Sequence, residues 1–274
     1  MKTSLRNILI RACAPLGTLF SETPKRRIIA LHDIPQNHEV LFLKKIEWLK
    51  TYCNIVSLVD LVANKGLDPE KLNVALSFDD GFKEYAHFVA QTLTRMNIPA
   101  TFFTPSGALG ISGDEAKQFS KEGLKRSASF EFMTKEELKT LSENPLFTIG
   151  GHTTHHRDVA TLDEKGRQEE ITDDKVALEA ITGKQIEWFA YPFGGIININ
   201  ANVIKTIDQS GYGNAFSILP SFWKKSDHRF LVGRDSMSVA DSIPLWNAWL
   251  RGGYDAFIAL KNGAKKKRLL ASLS

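Results

Sequence analysis

The sequence predicts one α/β domain, a distorted single (β/α) barrel of seven or eight strands. Three observations carry that expectation. Short apolar segments alternate with longer helical patterns from residue 28 to residue 250. No internal repeat or low-complexity tract breaks the alternation. The polar residues richest in chemistry stand directly after apolar segments, and in such a barrel the C-terminal ends of the strands share one mouth.

The composition agrees. With 274 residues, 43% hydrophobic and 24% charged, the chain resembles an ordinary globular protein and excludes disorder, collagen and coiled coil as the main state. No apolar run approaches the roughly 18 residues of a membrane span. Two cysteines, Cys13 and Cys53, are too few for a disulfide framework or a four-thiolate zinc site.

In chain order, strands are expected at 28–31 (IIAL), 54–58 (NIVSL), 73–78 (NVALSF), 100–104 (ATFFT), 146–149 (LFTI), 187–191 (EWFAY), 214–218 (NAFSI) and 230–233 (FLVG). Helical patterns fall near 37–51, 58–64, 83–96, 134–143, 163–182, 200–210 and 240–250. Thr134 and Glu137 form a capping box at the start of the fourth. Residues 105–132 have no clean period and are read as a long loop, one wall or lid of the mouth.

Charge divides the chain into a basic N-terminal segment (1–27), an acidic body (28–250) and a basic C-terminal tail (251–274). The first twenty residues imitate a secretion signal, but Arg11 interrupts the apolar stretch. A short amphipathic helix over 4–20 is expected instead. The expected location is the cytoplasm, peripheral at the inner membrane face through both basic ends. Nucleic acid is not an expected partner, since no reading helix or aromatic-studded strand motif is present.

The candidate site gathers the polar residues at the strand ends. Asp79 and Asp80 come directly after LSF, His152 and His156 after the segment ending in Gly151, His32 after IIAL, and Pro192 and Phe193 after FAY. Adjacent carboxylates repel unless something positive compensates them. Successive residues of an extended segment point to opposite sides, so one Asp can bind a metal while the other reaches past it. His152 and His156, four apart, share a face on a helical turn. Two imidazoles and a carboxylate make a metal site with open positions, and the spare carboxylate serves as a base.

LSFDDGF (76–82), GGHTTHH (150–156) and FAYPFG (189–194) resemble, in order and spacing, three motifs of the polysaccharide deacetylases, the NodB-like group of carbohydrate esterase family four. The resemblance covers roughly 72–217. It implies a metal-dependent hydrolase that removes acetate from an N-acetylated sugar in a polysaccharide, oligosaccharide or lipid-linked glycan. It implies Asp79 as catalytic base, Asp80, His152 and His156 as ligands of one divalent ion, Zn²⁺, and a backbone N–H near Phe193 at the oxyanion, with Tyr191 beside it. Three departures stand out. Ala190 occupies the usual arginine position of the third motif, and Arg234 in LVGRDS is the candidate replacement. An Asp-x-Trp motif has no clear match. The C-terminal Leu-His that supplies a general acid is missing, while Leu31-His32 reads like that motif moved to the N-terminus by circular permutation. The alternative function is a catalytically inactive carbohydrate-binding protein on the same fold. Phe130, Phe193 and Trp223 are the candidate sugar-stacking rings.

Overall fold

The computed structural model describes residues 23–273. The amphipathic helix expected over 4–20 and Cys13 lie outside the described residues. Strand β1 (Arg26–Leu31) leads through α1 (Glu39–Tyr52) to the short β2 (Cys53–Ile55) and α2 (Leu58–Ala63). Then come β3 (Leu72–Phe78), α3 (Phe88–Met96), β4 (Ala100–Thr104), α4 (Gly113–Glu122), α5 (Lys135–Glu143), β5 (Phe147–Gly151), α6 (Glu164–Thr182) and β6 (Trp188–Ala190). The chain ends with α7 (Ala201–Gln209), β7 (Asn214–Ser217), β8 (Val232–Gly233), β9 (Asp235–Met237), α8 (Ile243–Leu250) and α9 (Asp255–Ala271).

The strands form one curled parallel sheet in the order β8-β7-β6-β5-β4-β3-β1-β9, with β2 added beside the start of β3. Side-chain alternation sorts the strands into two faces. Ile28, Ala75, Phe103, Trp188, Ala190, Phe216 and Val232 pack together inside the curl. Ile29, Leu31, Val74, Leu76, Phe78, Phe102 and Phe189 face outward under the helices. Phe78 shows the outer packing: its ring meets Phe42 of α1, Tyr85 and Phe102. Burying such a ring contributes about 1.5–3 kcal/mol.

The two edges of the sheet meet on one short stretch. β8 pairs with β7, and one residue later β9 pairs with β1. Arg234 is the residue between them, so its side chain enters the interior at the seam. The lower part of the seam is filled by the segment before β8. Trp223 N–H donates to Arg26 O at 3.0 Å, with the Arg26 guanidinium 4.3 Å over the indole. Gly233 is required there, because a Cβ would lie 2.2 Å from Leu219 O. The result is a partly open, distorted barrel.

Helix ends follow their local chemistry. Thr134 Oγ1 accepts from Glu137 N–H at 3.1 Å and Glu137 Oε2 accepts from Thr134 N–H at 2.8 Å, which is the expected capping box. Asp163 caps α6, and Gly183 ends it in the left-handed conformation. Three expectations shift. The stretch 105–132 is not all loop, since α4 lies within it. Arg26 and Arg27 belong to β1 and are buried, not part of a solvated basic segment. The basic C-terminal tail is largely α9, anchored where Asp255 meets Arg27 at 2.7 Å. Arg27 also meets Asp235 at 3.2 Å. No described helix is long and apolar enough to cross a membrane.

Candidate active site

Strand β3 sends Ala75 and Ser77 inward, and the same period carries Asp79 into the barrel mouth, where it is buried. A carboxylate there needs compensation, and Arg234 supplies it across the seam. Arg234 Nη1 and Nη2 donate to Asp79 Oδ1 and Oδ2, both at 2.7 Å, and Nη1 also donates to Ser77 Oγ at 3.0 Å. The guanidinium lies 5.0 Å over the Phe103 ring. Burial pushes the Asp79 carboxyl up, but Arg234, His152 and His32 outweigh it and hold it below the usual range.

Asp80 leaves the strand in a left-handed conformation, φ 77°. Gly81 follows at φ 71°, where a Cβ would lie 2.9 Å from Thr104 Cγ2. The turn aims Asp80 Oδ1 at two imidazoles. His156 Nε2 is 3.3 Å from it and His152 Nε2 is 3.4 Å. The expected helical turn between the two histidines is absent. Residues 152–156 form an irregular loop after β5, with Thr153 at φ 65° and His156 at φ 54°. Those backbone reversals, not helical spacing, bring the rings together at 4.9 Å between centroids.

The cluster fits a cation. His152 Nδ1 lies 2.7 Å from Ala190 O, and His156 Nδ1 lies 3.1 Å from Gly123 O. A carbonyl only accepts, so each Nδ1 donates, which leaves the Nε2 on the Asp80 side as the atom able to ligate a cation. Two lone pairs and a carboxylate oxygen repel one another unless positive charge sits among them. Asp80 Oδ1 is buried with no hydrogen-bond partner among the described residues. One ligand atom from each of Asp80, His152 and His156 lies within 4.8 Å of the others.

His32, just beyond β1, reaches the same mouth: its Nε2 is 3.6 Å from Asp79 Oδ2, with a quarter of its side chain exposed. Burial lowers its proton affinity, and the Asp79 and Asp80 carboxylates only partly oppose this. Phe193, at φ 60°, stacks edge-on against His156 at 4.8 Å, and among the described residues its N–H has no backbone acceptor. Among the described residues, apart from two asparagines that end helices, the left-handed non-glycine residues are Asp80, Lys125, Thr153, His156 and Phe193. Four of these five belong to the mouth, where such strain costs about 1–3 kcal/mol each.

Other candidates are placed elsewhere. Tyr191 does not reach the mouth, because Ala190 is the inward residue and Tyr191 turns outward to donate its hydroxyl to Phe230 O at 2.7 Å. Trp223 stacks on Arg26 at the opposite end of the barrel. Phe130 packs on Phe82 at 4.9 Å. Only Phe193 lines a groove beside the cluster, about 810 Å³ in volume, together with Gly107, Phe119, Gly123, His156 and Arg157. The stretch 105–132 does wall the mouth, through Gly107 and Gly123.

Sequence reasoning missed two residues of α6. Asp174 and Glu170 are buried and accept N–H groups from the loop that carries the histidines. Burial pushes Asp174 up to about 7, against the N–H donors of Ser106 and His152. The available signal was two acids, four apart, in register with the apolar Ile171 and Leu178 face.

Comparison with known proteins agrees with this architecture. A family model described as polysaccharide deacetylase matches residues 66–215, which include Asp79, Asp80, His152, His156 and Phe193 but not His32 or Arg234. A chitin deacetylase from Pestalotiopsis sp is 27% identical over 138 residues, 50% of this chain and 39% of that protein. The chain spans about half the length of the curated relatives it matches. Among solved structures, IcaB from Ammonifex degensii superposes with a TM-score of 0.67 at 20% identity, covering 84% of this chain and 98% of that one. A de-N-acetylase from Aggregatibacter actinomycetemcomitans superposes at 0.64 and 19% identity, covering 82% and 99%. These superpositions establish the shared fold, and the family model, matching more than half of the sequence, establishes that this chain belongs to the polysaccharide deacetylase family.

Proposed function

We propose that the protein hydrolyses the acetamide of an N-acetylated sugar, in a polysaccharide, oligosaccharide or lipid-linked glycan, and releases acetate. One observation carries this reading. A buried Asp/His/His cluster adjoins a second buried carboxylate, itself locked by an arginine, at a single barrel mouth. Two imidazoles and a carboxylate with open positions suit Zn²⁺ among the divalent ions.

Such an ion, when bound by Asp80, His152 and His156, polarises the acetamide carbonyl, acidifies a water and stabilises developing negative charge. The chain's own groups do the rest. Asp79, kept ionised by Arg234, accepts a proton from the attacking water as the water oxygen bonds to the carbonyl carbon. The Phe193 N–H donates to the oxyanion. As the C–N bond breaks, His32 delivers a proton to the nitrogen, and acetate and a free amine result. Burial lowers the proton affinity of His32, which favours giving the proton up to the amine. The proton accepted by Asp79, 3.6 Å away, is the nearest one for it to receive and pass on. In this reading Arg234 replaces the arginine missing at Ala190, and His32 is the permuted general acid. An intact base, its arginine and a histidine at one mouth favour an enzyme over an inactive sugar-binding protein.

We place the enzyme in the cytoplasm, at the inner membrane face. Support comes from α9, which exposes Phe257 and Leu260 beside Lys261, Lys265, Lys267 and Arg268. Each such cation contributes about 1 kcal/mol near anionic lipid. Flotation with anionic vesicles, weakening with salt, is the expected behaviour. Wholly soluble protein at low salt rejects the placement. The activity itself is tested by acetate release from N-acetylated saccharides before and after chelation, with Zn²⁺ added back. Turnover unchanged after complete metal removal refutes it.

A further inference from the structure

We infer that Glu170 and Asp174, buried one helical turn apart on α6, are positioning residues that shape the loop 152–156 and so set the affinity of its histidines for the metal. The inference rests on the proposed metal site and concerns residues that no motif of the sequence singles out.

The loop cannot hold itself. With Thr153 and His156 in left-handed conformations, it forms neither helix nor strand, and its N–H groups need acceptors from elsewhere. Helix α6 supplies them. Asp174 Oδ2 accepts from His152 N–H at 2.9 Å, while Oδ1 accepts from Ser106 N–H at 2.8 Å. Glu170 O accepts from Thr154 N–H at 3.0 Å. Glu170 Oε2 accepts from His155 N–H at 2.8 Å, and Oε1 meets His155 Nδ1 at 3.0 Å. Thr154 Oγ1 donates to Glu169 O at 2.9 Å. Three loop residues, the ligand His152 together with Thr154 and His155, are therefore tied to a single helix.

The surrounding sequence makes room for this clamp. A Cβ on Gly151 would lie 2.8 Å from Asp174 Oδ2 and 2.3 Å from the Tyr212 hydroxyl. A Cβ on Gly107 would lie 2.5 Å from Thr154 O, the carbonyl that accepts from Gly107 N–H. A carboxylate offers two acceptor oxygens in a fixed fork, which an amide cannot. Asp174 uses both, one on the ligand His152 and one on Ser106.

The test uses Asp174→Asn and Glu170→Gln in the full chain. Asp174→Asn turns its NH₂ toward one of two loop N–H donors and breaks that tie, while Glu170→Gln leaves His155 N–H with a neutral amide acceptor in place of a charge-assisted one, and both keep the volume. Zn²⁺ and Co²⁺ titrations of the apoprotein give affinities, and the Co²⁺ visible spectrum reports ligand geometry. Thermal melts in chelator report the fold without metal. We expect affinity to fall about 10–100-fold, as when partners of metal ligands are lost, with an altered Co²⁺ spectrum. A purely structural role lowers the melting temperature of the apoprotein and leaves affinity and spectrum unchanged. If Asp174→Asn does not yield folded protein, Glu170→Gln decides alone. Folded variants that bind within twofold of wild type, with superimposable spectra, overturn the inference. Failure of the wild-type protein itself to bind metal overturns instead the reading on which it rests.

Discussion

Replacing Arg234 by Ala measures how far the base depends on one guanidinium. Arg234 gives Asp79 two charge-assisted hydrogen bonds at 2.7 Å, and both partners are buried. Truncation leaves the carboxylate without its fork and Ser77 Oγ without a donor. Removing one member of a buried pair costs about 3–5 kcal/mol. Total stabilities run to about 5–15 kcal/mol, so the variant is expected to fold, less stably.

The loss should depend on pH, and Asp79 sets the sign. Its folded pKa is depressed from 3.8, because Arg234, His152 and His32 outweigh burial. In the wild type it therefore contributes stability that is present above the unfolded value and lost as pH falls through the folded one. Without Arg234, burial dominates and the folded pKa rises. Above the unfolded value the variant then loses stability as pH rises. The gap between the two proteins should be small near pH 4 and widen toward neutrality. Urea melts of both, in chelator, at about pH 4.5 and 7.5 measure it. A gap under about 1 kcal/mol at the higher pH, or one that does not change between them, refutes the dependence, being far below the expected cost. Arg234→Lys keeps the charge without the fork and should recover part of the stability but little turnover. Ala190→Arg combined with Arg234→Ala returns a guanidinium to the position where the third motif usually carries it, and should recover both better than Arg234→Ala alone.

Asp79→Asn should keep the metal and abolish turnover, because an amide does not accept the water's proton; metal analysis alongside acetate release separates the two. His32→Ala should lower kcat by about 10²–10⁴, the usual worth of a general acid, and remove the alkaline limb of the pH profile; a rate within threefold of wild type assigns the proton to another group. His156→Ala should lose bound metal and activity together, and full metal occupancy would show the ligand assignment to be wrong. Gly151→Ala should destabilise by about 1–3 kcal/mol, since its methyl meets the Tyr212 hydroxyl and the Asp174 carboxylate; an unchanged melting temperature counts against the close approach.

The parts of this site legible in the sequence are those governed by period and adjacency. Ala75 and Ser77 face inward, so Asp79 does too, and the break after it frees Asp80 for another direction. The same arithmetic places Tyr191 outside once Ala190 is inside; the expectation that Tyr191 meets substrate followed the motif and ignored the alternation. The histidine pair shows a different limit. A spacing of four is compatible with a helical turn and with a loop bent through left-handed residues. Here the loop wins because α6 offers acceptors to the N–H groups that a helix would have used internally.

Arg234 marks the boundary most clearly. Both relevant residues are visible in the sequence: an alanine at 190 where an arginine is usual, and an arginine in LVGRDS. Their connection depends on which strand ends up beside which. β8 pairs with β7 and β9 pairs with β1, so the single residue between them lies at the seam and projects toward β3. Closure therefore brings two distant pieces of chain, β1 with His32 and the seam with Arg234, to one carboxylate. Both lie outside the stretch that the family model matches. A barrel tolerates such exchange because its mouth is defined by strand order around the ring, not by order along the chain. A charge that must stand beside Asp79 can enter from any neighbouring strand whose period points inward at that level.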